Sequence, residues 1–205
     1  MTTKVDATYL ELIESDRVST RTRAALLDRT KNDDPAYSPT VLTQAELVAL
    51  RAVLDRVLPQ YGAPIDLAAR LDAAMGAGTG DGWRYADLPP DPTACRMGLA
   101  ALDGLIPGKA FASLDAGAQD ATLAQVAAGG AMPGNGWTGR QMQRWFEDVR
   151  GEVVKLYVAH PATLARIGYS GIGYGGDGDD KPGFRNLEPG GREAWEPKPV
   201  QDDAP

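Results

Sequence analysis

Residues 42–58 read LTQAELVALRAVLDRVL, and their spacing sets the fold class. Thr43 and Glu46 form a Thr-x-x-Glu capping box. The Thr43 hydroxyl accepts from the Glu46 N–H, and the Glu46 carboxylate reaches back to the Thr43 N–H. Leu42 and Leu47 stand at the staple positions around that cap. Leu47, Leu50, Leu54, Val57 and Leu58 then recur at helical spacing, with Arg51, Asp55 and Arg56 off that face. Pro59 stops the helix. A helix with one apolar face needs other helices or a sheet to cover it.

The same signals continue outward in both directions. Downstream, Ile65–Met75 turns Ile65, Ala68, Leu71 and Met75 inward. Asp91-Pro92 opens a helix carrying Cys95, Leu99, Leu102 and Ile106 on one face, and Pro107-Gly108 closes it. Asp115 is an N-cap candidate for an Ala-rich helix to about Ala127. The longest helix runs from about Thr138 to Ala159, with Met142, Trp145, Phe146, Val149, Val153, Leu156, Tyr157 and His160 in one wide apolar stripe, and Pro161 ends it. Turns and loops fall at Tyr61–Pro64, Gly76–Gly82 and Gly129–Gly136. Upstream, Thr8–Glu14 reads as a short helix and Ser19 caps another over Thr20–Lys31. Asn32-Asp33-Asp34-Pro35 breaks that helix.

No run alternates apolar and polar residues strictly, and no Asn-Gly turn joins β-branched runs. The expectation is therefore an all-α protein of about six helices in one bundle-like domain. An N-terminal arm covers residues 1–40, the helical domain 41–178, and an irregular Gly/Pro-rich C-terminal arm 179–205.

Composition removes several function classes. A net charge of −7 argues against a phosphate-backbone partner, which calls for a clustered basic face. No segment approaches the roughly 20 apolar residues that span a bilayer. The start of the chain lacks a basic region followed by an apolar run, so a cytoplasmic protein is expected, with export alongside a signal-bearing partner as the alternative. Cys95 is the only cysteine, so no internal disulfide forms. Cys95 lies on an apolar face and reads as core, and His160, the only histidine, reads as structural at a helix terminus. Together they supply too few ligands for a zinc site. Asp177, Asp179 and Asp180 lack the calcium-loop spacing and read as a solvated acidic turn. No catalytic, cofactor-binding or metal-binding residue is assigned to this chain.

The stretch built like a site is Ile167–Gly178, IGYSGIGYGGDG. Gly171-x-Gly173-x-x-Gly176 has dinucleotide-loop spacing, but a helix precedes it and Asp177–Gly183 cannot start one after it. Its glycines and its two tyrosines, Tyr169 and Tyr174, suit close approach to another surface or to the protein's own core, and the residues alone leave both open. Trp195, in a Pro-rich tail, poses the same choice.

Taken in order, five segments resemble the small-subunit family typified by the third subunit of gluconate 2-dehydrogenase. They are Leu42–Leu50 running to Asp55–Pro59; Gly98–Asp103; Phe111-Ala112-x-Leu114-Asp115 with Gln119-Asp120; Trp145-Phe146-Glu147-x-x-Arg150; and Tyr157-x-x-His160-Pro161 leading into Ile167–Gly178. The resemblance implies a helical, non-catalytic subunit. Its partner would be a large FAD-dependent subunit of the glucose-methanol-choline type, which oxidises CH–OH groups of sugars, sugar acids or glycosides. FAD and the catalytic base would belong to that partner, with no cofactor bound by this chain. Many members of the family carry a twin-arginine export signal, and residues 1–40 stand in its place here. The expected partner-facing residues are Tyr157, His160, Tyr169, Gly171, Gly173, Tyr174 and Trp195. Two other readings use the same surface or chemistry: a folding or export chaperone that leaves its flavoenzyme, and a stand-alone enzyme working through Asp177 or Asp179.

Overall fold

Side chains just ahead of the helices meet their first free amides, and these caps divide the chain. The computed structural model describes residues 5–61, 64–80, 82–134 and 136–199. Among them run α1 (Ala7–Glu14), α2 (Thr20–Arg29), α3 (Gln44–Val57), α4 (Leu67–Ala77), α5 (Asp91–Gly104), α6 (Ala116–Ala127), α7 (Gly139–Val158) and α8 (Pro161–Arg166). Two 3-10 turns, Phe111–Ser113 and Gly171–Gly173, complete the set, and no described residue is in a strand. Asp6, Ser19, Asp66 and Asp115 cap α1, α2, α4 and α6. The Thr43/Glu46 capping box on α3 is present in both directions, at 3.2 and 2.7 Å.

The all-α expectation holds, with more helices than the six anticipated. The difference includes α8. Pro161 ends α7, but it also stands in the first turn of a new helix, where its missing N–H costs nothing. Parts of the expected segments lie outside the described residues: Gly62 and Ala63 in the turn, Asp81 and Asn135 in the two Gly-rich loops, and residues 1–4 and 200–205 in the arms.

The chain groups into two compact units. One is Asp33–Leu156. In it α3 packs against α4, α5, α6 and the 3-10 turn at Phe111. Leu47, Leu50, Val53, Leu102, Phe111 and Met142 are fully buried there, each worth roughly 1.5–3 kcal/mol of transfer free energy. Trp145 lies flat on α5 because residue 98 has no side chain: a Cβ on Gly98 would sit 2.2 Å from the indole. The segments that carried the resemblance do local work here. Asp115 caps α6, the Gln119 amide donates to the Phe111 carbonyl at 3.3 Å, and Asp120 takes two 2.7 Å hydrogen bonds from Arg56.

The entry to α3 is fixed by a buried carboxylate. Asp72 has no solvent exposure. It accepts from the Tyr37 hydroxyl (2.7 Å), the Thr40 N–H (2.6 Å) and hydroxyl (2.9 Å), and the N–H groups of Val41 (3.1 Å) and Leu42 (2.8 Å). Burial alone would raise its pKa. The hydrogen bonds from Tyr37, Thr40 and Leu42 outweigh that and hold the carboxyl below its ordinary value.

The other unit joins the described parts of Met1–Asn32 and Tyr157–Pro205. Its core is Tyr9, Leu12, Ile13, Val18, Leu26 and Leu164, closed by Ala165. Arg23 reaches back to satisfy the end of α1, donating to the carbonyls of Ile13 (3.2 Å), Ser15 (2.6 Å) and Val18 (3.1 Å).

Candidate partner-docking site

The segment Ile167–Gly178 leaves α8 and runs along α1 and α2 of its own unit, tied at successive points. The Tyr9 hydroxyl donates to the Tyr169 carbonyl at 2.9 Å. Burial, with the Tyr169 side chain adding to it, pushes the Tyr9 pKa up, so the phenol stays a donor. Arg17 donates to the Gly173 carbonyl at 3.3 Å, and its own carbonyl accepts from Gly175 (3.1 Å) and Gly176 (2.6 Å). Asp177 accepts from the Thr20 N–H (2.9 Å) and hydroxyl (2.6 Å), at the first turn of α2. Those Thr20 bonds, the side-chain one foremost, hold its carboxyl below the ordinary range. The acidic turn is thus solvated at Asp179 and Asp180, whereas Asp177 is a structural pin.

The C-terminal arm straps over one side of this segment. A Cβ on Gly173 would sit 2.5 Å from the Trp195 ring and 3.1 Å from Leu12. The Arg17 guanidinium lies 4.0 Å over that ring, Phe184 tilts against it at 5.3 Å, and the indole N–H donates to Glu193 at 2.6 Å. Ser170 donates to Glu196 (2.7 Å), and Arg192 to the Gly168 carbonyl (2.6 Å).

The residues anticipated as partner-facing therefore differ in exposure. Tyr169 and Tyr174 stand 48% and 58% exposed, and Gly171 is exposed between them. Tyr157 is half-buried, its hydroxyl accepting from Arg166 at 2.8 Å. Gly173 is buried and Trp195 half-buried within the unit. His160 is buried and caps the helix after it, its Nδ1 accepting from the Ala162 N–H at 3.1 Å; it sits at the start of α8 rather than only at the end of α7.

The structure adds residues that the sequence reading passed over. Between α2 and α8 lies a groove of about 590 Å³, lined by buried Leu26 and Leu164, half-buried Ile172, exposed Val158 and Ile167, and Tyr169, which also belongs to the segment above. Arg21 and Arg29 stand at its rim. The signal was available: Arg21, Ala25 and Arg29 repeat every fourth residue on one helix face.

The groups that could be read as reactive are engaged in the fold. Cys95 is buried, and desolvation, with Glu46 and Asp72 adding to it, pushes its thiol up to about 12. Asp177 is a weakened base whose Oδ2 is already engaged by Thr20. Gly171-x-Gly173-x-x-Gly176 follows a helix, forms a 3-10 turn and leads into no helix. The Gly175 and Gly176 amides already donate to Arg17, so the segment does not fit a dinucleotide pyrophosphate. No group of three or more His, Cys, Asp or Glu among the described residues is placed to hold a metal ion. No described helix is long and apolar enough to cross a membrane.

Searches of curated proteins and of solved structures gave no match. The family model described as gluconate 2-dehydrogenase subunit 3 matches residues 44–176. That span starts at the first residue of α3 and ends at the last glycine tied to Arg17. With well over half its length matched, the chain belongs to the gluconate 2-dehydrogenase subunit 3 family.

Proposed function

We propose that this chain is the non-catalytic small subunit of a dehydrogenase complex. It would seat on a large FAD-dependent subunit of the glucose-methanol-choline type that oxidises CH–OH groups of sugars, sugar acids or glycosides. The flavin and the hydride chemistry are the partner's, this chain holds no cofactor of its own, and the complex assembles in the cytoplasm. Family membership supports the subunit role. The observation that carries the docking is the pair Tyr169 and Tyr174. Both are large, amphipathic and about half exposed, on a backbone already fixed by Tyr9, Arg17 and Thr20. Such aromatic anchors concentrate binding energy at interfaces.

Co-expression with the flavin subunit, followed by size exclusion, tests this. The two chains should co-elute, with an interface of roughly 2,000 Å² or more, as permanent complexes bury. Tyr169→Ala with Tyr174→Ala should weaken association by at least about tenfold while the helical circular dichroism stays unchanged. Separate elution, with a flavin subunit fully active by itself, would sink the proposal.

A further inference from the structure

We infer that the groove between α2 and α8 receives an apolar side chain flanked by a carboxylate, supplied by the catalytic subunit; this rests on the subunit reading above. The groove is open and greasy. Val158, Ile167 and Tyr169 in its lining are 44%, 56% and 48% exposed, and buried Leu26 and Leu164 line it with them. Large apolar side chains gathered in the lining of one open groove suit a contact surface. A volume of about 590 Å³ holds more than one large side chain, and exposed walls suit a segment of polypeptide rather than an enclosed small molecule.

Charge selects the occupant. The chain carries a net −7, yet the rim of this groove is cationic. Arg29 donates to the Ala159 carbonyl at 3.4 Å and so lies along the rim. Arg21, two helical turns earlier on the same face, is exposed and makes no hydrogen bond or ion pair with any described residue. An unengaged guanidinium beside apolar surface matches a carboxylate next to a hydrophobic anchor, bound bidentately. A second copy of this chain is disfavoured by the mutual repulsion of two bodies of net −7. Continuity points the same way: Tyr169 belongs both to the groove wall and to the exposed segment proposed to meet the catalytic subunit.

The test uses the full chain with the co-expressed flavin subunit. Arg21→Glu and Ile167→Asp alter exposed positions, and Arg96→Glu on exposed α5 surface controls for charge alone. Each groove variant should raise the Kd about tenfold or more. The Arg21→Glu deficit should narrow at high salt, as a screened ion pair requires, while the Arg96→Glu complex stays as tight as wild type. With Val158 replaced by p-benzoylphenylalanine, photo-crosslinking should capture a flavin-subunit peptide that carries an Asp or Glu beside an apolar residue. A wild-type complex indifferent to both groove variants overturns the inference and leaves the subunit role standing. So does a crosslink to residues 200–205 of the same chain, to a second copy, or to a peptide without an acidic residue. A wild-type chain that captures no flavin subunit overturns both.

Discussion

Each unit contains a tryptophan laid on a glycine, and the two contacts differ in what surrounds them. Trp145 sits on Gly98 inside the Asp33–Leu156 unit, 1% exposed, with its indole N–H buried and without a hydrogen-bond partner. Trp195 sits on Gly173 in the other unit, half-buried, its N–H on Glu193 and Arg17 stacked above it. The first is a dry contact set by helix packing, accepted at the cost of one unsatisfied donor. The second is held by polar contacts at the edge of water. Close packing makes the first intolerant of added volume, whereas the second can open by lifting a strap.

The largest effect should come from the Asp33–Leu156 unit. Asp72→Ala leaves the amides of Thr40, Val41 and Leu42 and the hydroxyl of Tyr37 without their acceptor, and about 3 kcal/mol or more of stability should be lost in urea unfolding at neutral pH. The sign of the pH dependence follows from the lowered pKa. The carboxylate's contribution is fully present above the unfolded value of about 3.9. It fades as pH falls through the lower folded value, so the gap between wild type and Asp72→Ala should close in acid. A gap independent of pH would show that Asp72 acts by packing rather than by charge.

Gly98→Ala should come next. An exposed mid-helix position would gain roughly 0.5–1 kcal/mol from this change. Here the new methyl overlaps Trp145, and a loss of about 1–3 kcal/mol is expected. A stabilised variant would break the contrast, since it would mean the dry contact yields as readily as the wet one. Gly173→Ala should cost less, about 1 kcal/mol, because Trp195 and its strap can shift outward. Its signature is faster tryptic cleavage at exposed Arg185 with α-helix content unchanged. Equal costs at Gly98 and Gly173 would erase the distinction between the two contacts.

The helical framework was legible because caps and periods are local. Ser19, Thr43 and Asp115 stand within a few residues of the amides they meet. α8 escaped notice because six residues carry hardly more than one period, and because Pro161 signals an end and a beginning with the same residue. Composition singled out Tyr169 and Tyr174 but left open whether they face outward. Their supports did not: Tyr9 reaches Tyr169 and Arg17 reaches Gly173 across more than 150 positions, and no spacing rule spans that distance. Asp72 was hidden for the same reason, since its donors lie 30 or more residues upstream, Tyr37 and Thr40 among them in what reads as an arm. The Arg21–Ala25–Arg29 repeat is present in the sequence, but its spacing alone does not distinguish a solvated face from the edge of a groove, which residues 158–172 complete.

Those long reaches also set a schedule. α1 and α2 present Tyr9, Leu12, Ile13 and Leu26, whose cover comes partly from Leu164 and Ala165. A ribosome adding about 5–20 residues per second needs on the order of 10 seconds or more to make the intervening chain. Through that interval the first two helices carry an uncovered apolar face, and whatever shields it meanwhile governs how much of the chain reaches its folded form.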